Sequence, residues 1–101
     1  MLMRAHRDPL EVSPVRPWLV VSREALGSHR HVAGVVPARH RAGAKALGRQ
    51  FLRALAGRDV SLIRVLEYPA HLDVADSDGL GPPPRRLTPP EAKYLRRRLS
   101  L

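Results

Sequence analysis

The chain sets short apolar runs against one long amphipathic segment. Trp18-Leu19-Val20-Val21 is unbroken by polar residues, which predicts a short, well-buried strand. His31 to Val36 is a second β-rich run, interrupted by Gly34. A glycine there marks either a bulge or a close approach of backbone. The polar stretch Ser22 to Ser28 joins the two runs, so an antiparallel pair is expected. From Ala38 to Ala56 the period changes: Ala44, Leu47, Phe51 and Leu55 follow helical spacing and define one face. Gly57 is placed to cap that helix. Val60 to Glu67 predicts a covered strand, with Val60, Leu62 and Leu66 on one side and Ile63 and Val65 on the other. After a turn at Tyr68-Pro69-Ala70, Leu72 and Val74 suggest a short return strand. Thr88-Pro89-Pro90-Glu91 is a capping box with proline at the first helical position. It opens a short helix with Ala92, Leu95 and Leu99 on one face, and Arg96-Arg97-Arg98 complement its C-terminal dipole.

The expected order is therefore β-β-α-β-(β)-α, an α+β class in which a small antiparallel sheet carries one long helix on a face. Prolines and the lack of any period make residues 1–16 an irregular arm. Residues 17–76 form the α+β domain, 77–87 a Pro/Gly linker, and 88–101 the short C-terminal helix. At 101 residues the chain has room for one domain.

Composition narrows the class. Hydrophobic residues are 44% of the chain, enough for a core, although only four aromatics are available to fill it. Without cysteine there are no disulfides and no thiolate metal sites. Met1-Leu2-Met3-Arg4 leads into charge and proline rather than an apolar leader, and no stretch approaches the ~20 apolar residues of a membrane span. A cytoplasmic protein with no membrane contact is the expectation.

Charge points to the partner. The chain carries 18 basic and 9 acidic residues, a net charge of +9. A GC-rich genome accounts for arginine outnumbering lysine, but not for the excess of cations over anions. That excess suits a nucleic acid or another acidic partner. Part of it is organised: Arg41, Lys45, Arg49 and Arg53 recur every fourth residue. At 3.6 residues per turn such a row drifts by only about 40° per step and forms a ridge, centred about 140° from the face defined by Ala44, Leu47, Phe51 and Leu55. The plain reading of a charged helix face is solvation. Yet four like charges at this spacing repel one another, and an anion relieves the repulsion.

The candidate chemistry lies in Gly27-Ser28-His29. A histidine in a small polar turn can serve as general base and acid near neutral pH. RNA brings its own nucleophile, the 2′-hydroxyl, so a base and nearby cations suffice for cleavage without metal. His29 is the candidate base, and Ser28, Arg30 and His40 are candidate phosphate contacts beside the ridge. The alternative is that His29 and His31 are ordinary surface residues of a hairpin loop.

The run Gly27-Ser28-His29, then Val36-Pro37 with His40 nearby, then Leu47 to Gly57 reading LGRQFLRALAG, resembles the HicA-type mRNA interferase toxins. The resemblance implies a double-stranded-RNA-binding-like α+β domain, His29 as the catalytic histidine, mRNA as substrate and an antitoxin protein as partner in a toxin–antitoxin pair.

Other sites are not legible. Asp73, Asp76, Asp78 and Gly79 fail the calcium-loop pattern, because Val74 and Arg85 occupy its first and last ligand positions. The histidines are not spaced with acidic residues as ligands, so no metal or other cofactor is expected. Pro82-Pro83-Pro84-Arg85-Arg86 reads as a stiff spacer. The sequence thus points to a small basic RNA-binding protein, with a metal-independent endoribonuclease as its enzymatic version. The alternative is a non-catalytic nucleic-acid-binding or protein-interaction module, such as a small phage or regulatory protein.

Overall fold

A computed structural model of the chain describes residues 14–23, 31–60, 63–72 and 83–99. Among them run strand β1 (Arg16–Arg23), strand β2 (His31–Ala38), helix α1 (Arg41–Ala56), strand β3 (Ile63–Glu67), strand β4 (Arg85–Arg86) and helix α2 (Pro89–Leu99). The strands form one sheet in the order β3-β1-β2-β4, and every neighbouring pair is antiparallel. The α+β class expected from the sequence is the observed one.

The apolar block in β1 is buried, as expected. Trp18, Val20, Val36 and Val65 point to one face of the sheet and pack with Ala44 and Leu52 of α1. Leu19, Val21 and Val35 point to the other and pack with Leu95 of α2, flanked by Leu66, Tyr68, Leu87, Tyr94 and Leu99. Both faces are covered, so the centre of β1, Trp18 to Val21, is apolar on both sides. Leu95 and Leu99 therefore dock on the domain itself. No helix among the described residues is long and apolar enough to cross a membrane.

Two prolines fall inside strands and still fit. Pro17 pairs with Pro37 near the end of the β1–β2 ladder. Neither can donate, so the pair takes a non-hydrogen-bonded position, where the missing N–H groups would point outward. Among the described residues no partner strand waits there: the β3 ladder ends at Trp18↔Glu67, and β4 pairs with Gly34 and Val35.

Helix α1 is seated by glycines. A Cβ on Gly48 would lie 2.8 Å from Val20 Cγ1, and one on Gly34 would lie 2.3 Å from Phe51 Cε2 and 2.7 Å from the Arg85 carbonyl oxygen. The close-approach reading of Gly34 holds, and the β1–β2 register runs through it without a bulge. Gly57 caps the helix in the left-handed region at φ 75°, its N–H bonded to the Arg53 carbonyl at 2.9 Å.

The differences from the sequence reading are local. Ala38 belongs to β2, paired with Arg16, so α1 begins at Arg41 rather than Ala38. Its buried residues are Ala44, Gly48 and Leu52, while Leu47 is 38% exposed. Leu72 lies in a bend rather than a return strand, and Val74 is outside the described residues. The second edge strand comes instead from Arg85–Arg86, in the interval read as linker.

Candidate nucleic-acid interface

The shift of the buried stripe changes where the ridge points. At 100° per residue, Ala44, Gly48 and Leu52 centre about 80° from the mean direction of Arg41, Lys45, Arg49 and Arg53, rather than about 140°. The ridge starts beside the core and winds outward. Arg41 shows this directly: its Nη1 donates to the Val65 carbonyl on β3, and its guanidinium lies 5.6 Å from the centre of the Trp18 ring. Arg16 covers the same ring at 4.5 Å and pairs with Glu67 at 3.6 Å. The indole N–H is satisfied internally by the Ala38 carbonyl at 2.9 Å. The foot of the ridge is thus two arginines on one tryptophan, held by cation–π attraction.

Farther along, Lys45 and Arg49 are exposed and make no hydrogen bond or ion pair among the described residues. Arg53 is also exposed but pairs with Asp59 at 2.9 Å. His40 is the N-cap of α1: its Nδ1 accepts the Gly43 N–H at 3.1 Å. That hydrogen bond uses Nδ1 as an acceptor. Ser28, His29 and Arg30 lie outside the described residues. The structure therefore brings Arg41, Lys45, Arg49, Arg53 and His40 onto one helix.

The chain sets eighteen basic residues against nine acidic ones, a net charge of +9, and one of the acids is spent internally. Glu91 is 1% exposed and receives both Arg85 Nη1 and Nη2 at 2.8 Å, with Arg85 itself buried. Tyr68 donates its hydroxyl to Glu91 Oε2 at 2.5 Å, and the Thr88 N–H donates to Oε1 at 2.8 Å. The Glu91 N–H returns to Thr88 Oγ1 at 3.4 Å, closing the capping box read from the sequence. Burial pushes the Glu91 carboxyl up, but the hydrogen bonds from Arg85, Thr88 and Tyr68 outweigh it and bring it down to about 2. Burial and the Glu91 contact push the Tyr68 phenol above its usual range. The hydrogen bond to Glu91, against burial, raises Arg85 further. This network is structural: it ties β4 and Tyr68, the residue after β3, to the start of α2.

The sequence reading missed a second cationic region. His71 and Leu72, with Pro90, Lys93, Tyr94, Arg97 and Arg98 of α2, line an open cleft of about 470 Å³. The signal was present as the Arg96-Arg97-Arg98 run, but its aromatic neighbours come from the turn after Tyr68, which only the fold supplies. Among the described residues no three His, Cys, Asp or Glu side chains converge.

Comparison with models of protein families, with curated proteins and with solved structures returned no match.

Proposed function

We propose that the protein is a small basic RNA-binding protein that lays the phosphate backbone along α1. The observation that carries this reading is the pair Lys45 and Arg49, exposed and without an anionic partner among the described residues, on the helix flank that begins at the Arg16–Trp18–Arg41 stack. Same-sign charges four residues apart destabilise an isolated helix. A polyanion removes that cost, and the chain's net charge of +9 adds long-range attraction. Arginine's donor fork suits phosphate oxygens.

Cleavage is the finer part of the proposal and rests on Gly27-Ser28-His29. In that reaction His29 takes the proton of the 2′-hydroxyl, the resulting oxygen attacks the adjacent phosphorus, and the 5′-oxygen of the next nucleotide leaves, taking up a proton. An antitoxin-like protein partner belongs to this version only. His40 caps α1 through Nδ1, a structural role it holds whether or not the protein cuts RNA.

The binding test is a salt titration with a labelled single-stranded RNA. Lys45→Glu with Arg49→Glu should weaken binding and reduce the slope of log K against log salt by about 1.4, at roughly 0.7 per phosphate contact on single strands. Unchanged affinity and slope would remove α1 from the interface. Cleavage is read by incubating wild type and His29→Ala with total RNA, with and without EDTA, from pH 5 to 9. Loss of cutting in His29→Ala with binding intact supports the enzyme; a wild type that binds but never cuts leaves the binding module.

A further inference from the structure

The cleft on α2 lies across the sheet from the ridge, because α2 packs on the Leu19/Val21/Val35 face and α1 on the Trp18/Val20/Val36 face. We infer that this cleft binds a nucleoside phosphate, with the base against the His71 and Tyr94 rings and the phosphate on Lys93 and Arg97. The inference goes beyond the RNA-binding role of α1 and stands independently of it.

Three observations carry it. First, the two rings form a corner: their centroids are 5.6 Å apart and their planes meet at 61°. His71 is exposed while Tyr94 is partly buried against the second core cluster. One ring is thus anchored by packing and the other is presented to a ligand, which is the arrangement a flat base needs to stack. Second, Lys93 and Arg97 stand one helical turn apart on the flank that carries Tyr94, with Arg98 beside them, and all three are exposed. Neither a hydrogen bond nor an ion pair occupies them among the described residues, and none of the described residues that line the cleft is acidic. Like charges at this spacing call for an anion. Third, the volume of about 470 Å³ lies within the range of small-ligand sites, roughly 300–1,000 Å³. It admits a base, a sugar and a phosphate together. A bare anion would leave the ring corner unused, and an apolar ligand would leave three cations unmatched.

Free nucleotide and an unpaired nucleotide of an RNA strand present the same chemistry to this cleft. Leu72 also lines a neighbouring cleft of about 190 Å³ that includes Arg16 and Tyr68, and Arg16 stacks on Trp18 with Arg41 at the foot of the ridge. A strand therefore has a path from one face to the other around the β3 edge.

The test uses the full chain and proton NMR of the His71 and Tyr94 rings, titrated with AMP, adenosine, inorganic phosphate, a single-stranded RNA decamer and a phosphoserine peptide. AMP should shift both rings, and adenosine and phosphate should each bind at least about tenfold more weakly. Lys93→Glu with Arg97→Glu should weaken AMP by about tenfold or more, and His71→Ala by about tenfold, the scale of one stacked base. These residues are exposed, so melting temperature should hold. Lys45→Glu with Arg49→Glu should leave AMP binding unchanged, which separates failure here from failure of the ridge. Displacement of AMP by the decamer identifies the strand as the source, and failure to displace it identifies free nucleotide. AMP that shifts neither ring at millimolar concentration, phosphate or phosphopeptide that binds as well as AMP, or variants that bind AMP like wild type would each overturn the inference.

Discussion

The two faces of this sheet are held by different physics. On the α1 face the contact is apolar and close. Gly48 rests on Val20, Phe51 rests on Gly34, and among the described residues no ion pair enters the cluster. On the α2 face the apolar contact through Leu95 is joined by a buried, bidentate Arg85–Glu91 pair with Tyr68 as a third member. The first interface is specified by shape and tolerates almost no added volume. The second is specified by charge and hydrogen bonding, so it depends on every partner being present and ionised. Helix α1 could be seated on the sheet wherever small residues align. The position of α2 relative to β4 is fixed by one side chain on each.

The sharpest way to break the contrast is to remove one charge from the α2 face. Arg85→Met or Glu91→Gln should cost about 3–5 kcal/mol, because the remaining partner is left buried and uncompensated. Arg85→Met with Glu91→Leu should recover much of that loss, since an apolar pair carries no desolvation penalty. Urea denaturation of the three variants measures both. The pH dependence should belong to this face too. Glu91 sits at about 2 in the fold against 4.5 unpaired. Its contribution is therefore fully present above pH 4.5 and lost as pH falls from there through 2. The lowered value corresponds to roughly 3 kcal/mol at most. The stability gap between wild type and Glu91→Gln should close over that interval. A gap that stays constant from pH 6 to 2 would mean the pair is not what holds α2.

On the α1 face the same question is put with volume. Gly34→Ala should cost about 2–3 kcal/mol, within the usual range for overpacking. Trimming Phe51 should not rescue it, because the Arg85 carbonyl oxygen would still lie 2.7 Å from the new Cβ. Gly48→Ala should cost less, about 1 kcal/mol. Its clash is with the Val20 side chain alone, and alanine regains about 1 kcal/mol of helix propensity. Thermal unfolding of Gly48→Ala with Val20→Ala should show the clash relieved. Neither glycine variant should change the response to acid, and a pH-dependent effect would mean the two faces are not separable.

The same contrast explains what was legible in the sequence. A run such as Trp18 to Val21 announces a well-buried strand because its apolar character is continuous; that both its faces are covered comes from the fold. The capping box announces α2 because Thr88 and Glu91 are three residues apart. The buried stripe on α1 runs from Ala44 through Gly48 to Leu52 rather than through Leu47, and Gly48 carries no hydrophobic weight to announce it. Small residues that permit close packing leave no trace in an apolar pattern. Strand β4 was hidden for the opposite reason: Arg85 and Arg86 look like solvated linker, and Arg85 becomes a core residue only because the fold brings Glu91 to it. The ridge of the candidate site was visible as a fourfold spacing on one helix. The cleft was not, since it joins His71 to Tyr94 from separate elements. The resemblance to the interferase toxins rests on residues 27–57, and its decisive turn, Gly27-Ser28-His29, lies outside the described residues.

The smallest effect is at the far end of the ridge, where a third kind of contact occurs. Arg53 and Asp59 are exposed at 60% and 84% of their side chains, so their pair contributes between 0 and about 1 kcal/mol to stability. Asp59→Asn should leave the denaturation midpoint nearly unchanged. Its consequence should appear in binding. With Asp59 neutral, Arg53 no longer has an anion competing with phosphate, and the cationic row extends by one residue beyond Arg49. RNA affinity should rise modestly, and the salt slope should steepen by up to about 0.7, the value of one added phosphate contact. Arg53→Gln should undo the gain. If Asp59→Asn changes stability more than RNA affinity, the pair serves the turn after α1 rather than masking the ridge, and the interface ends at Arg49.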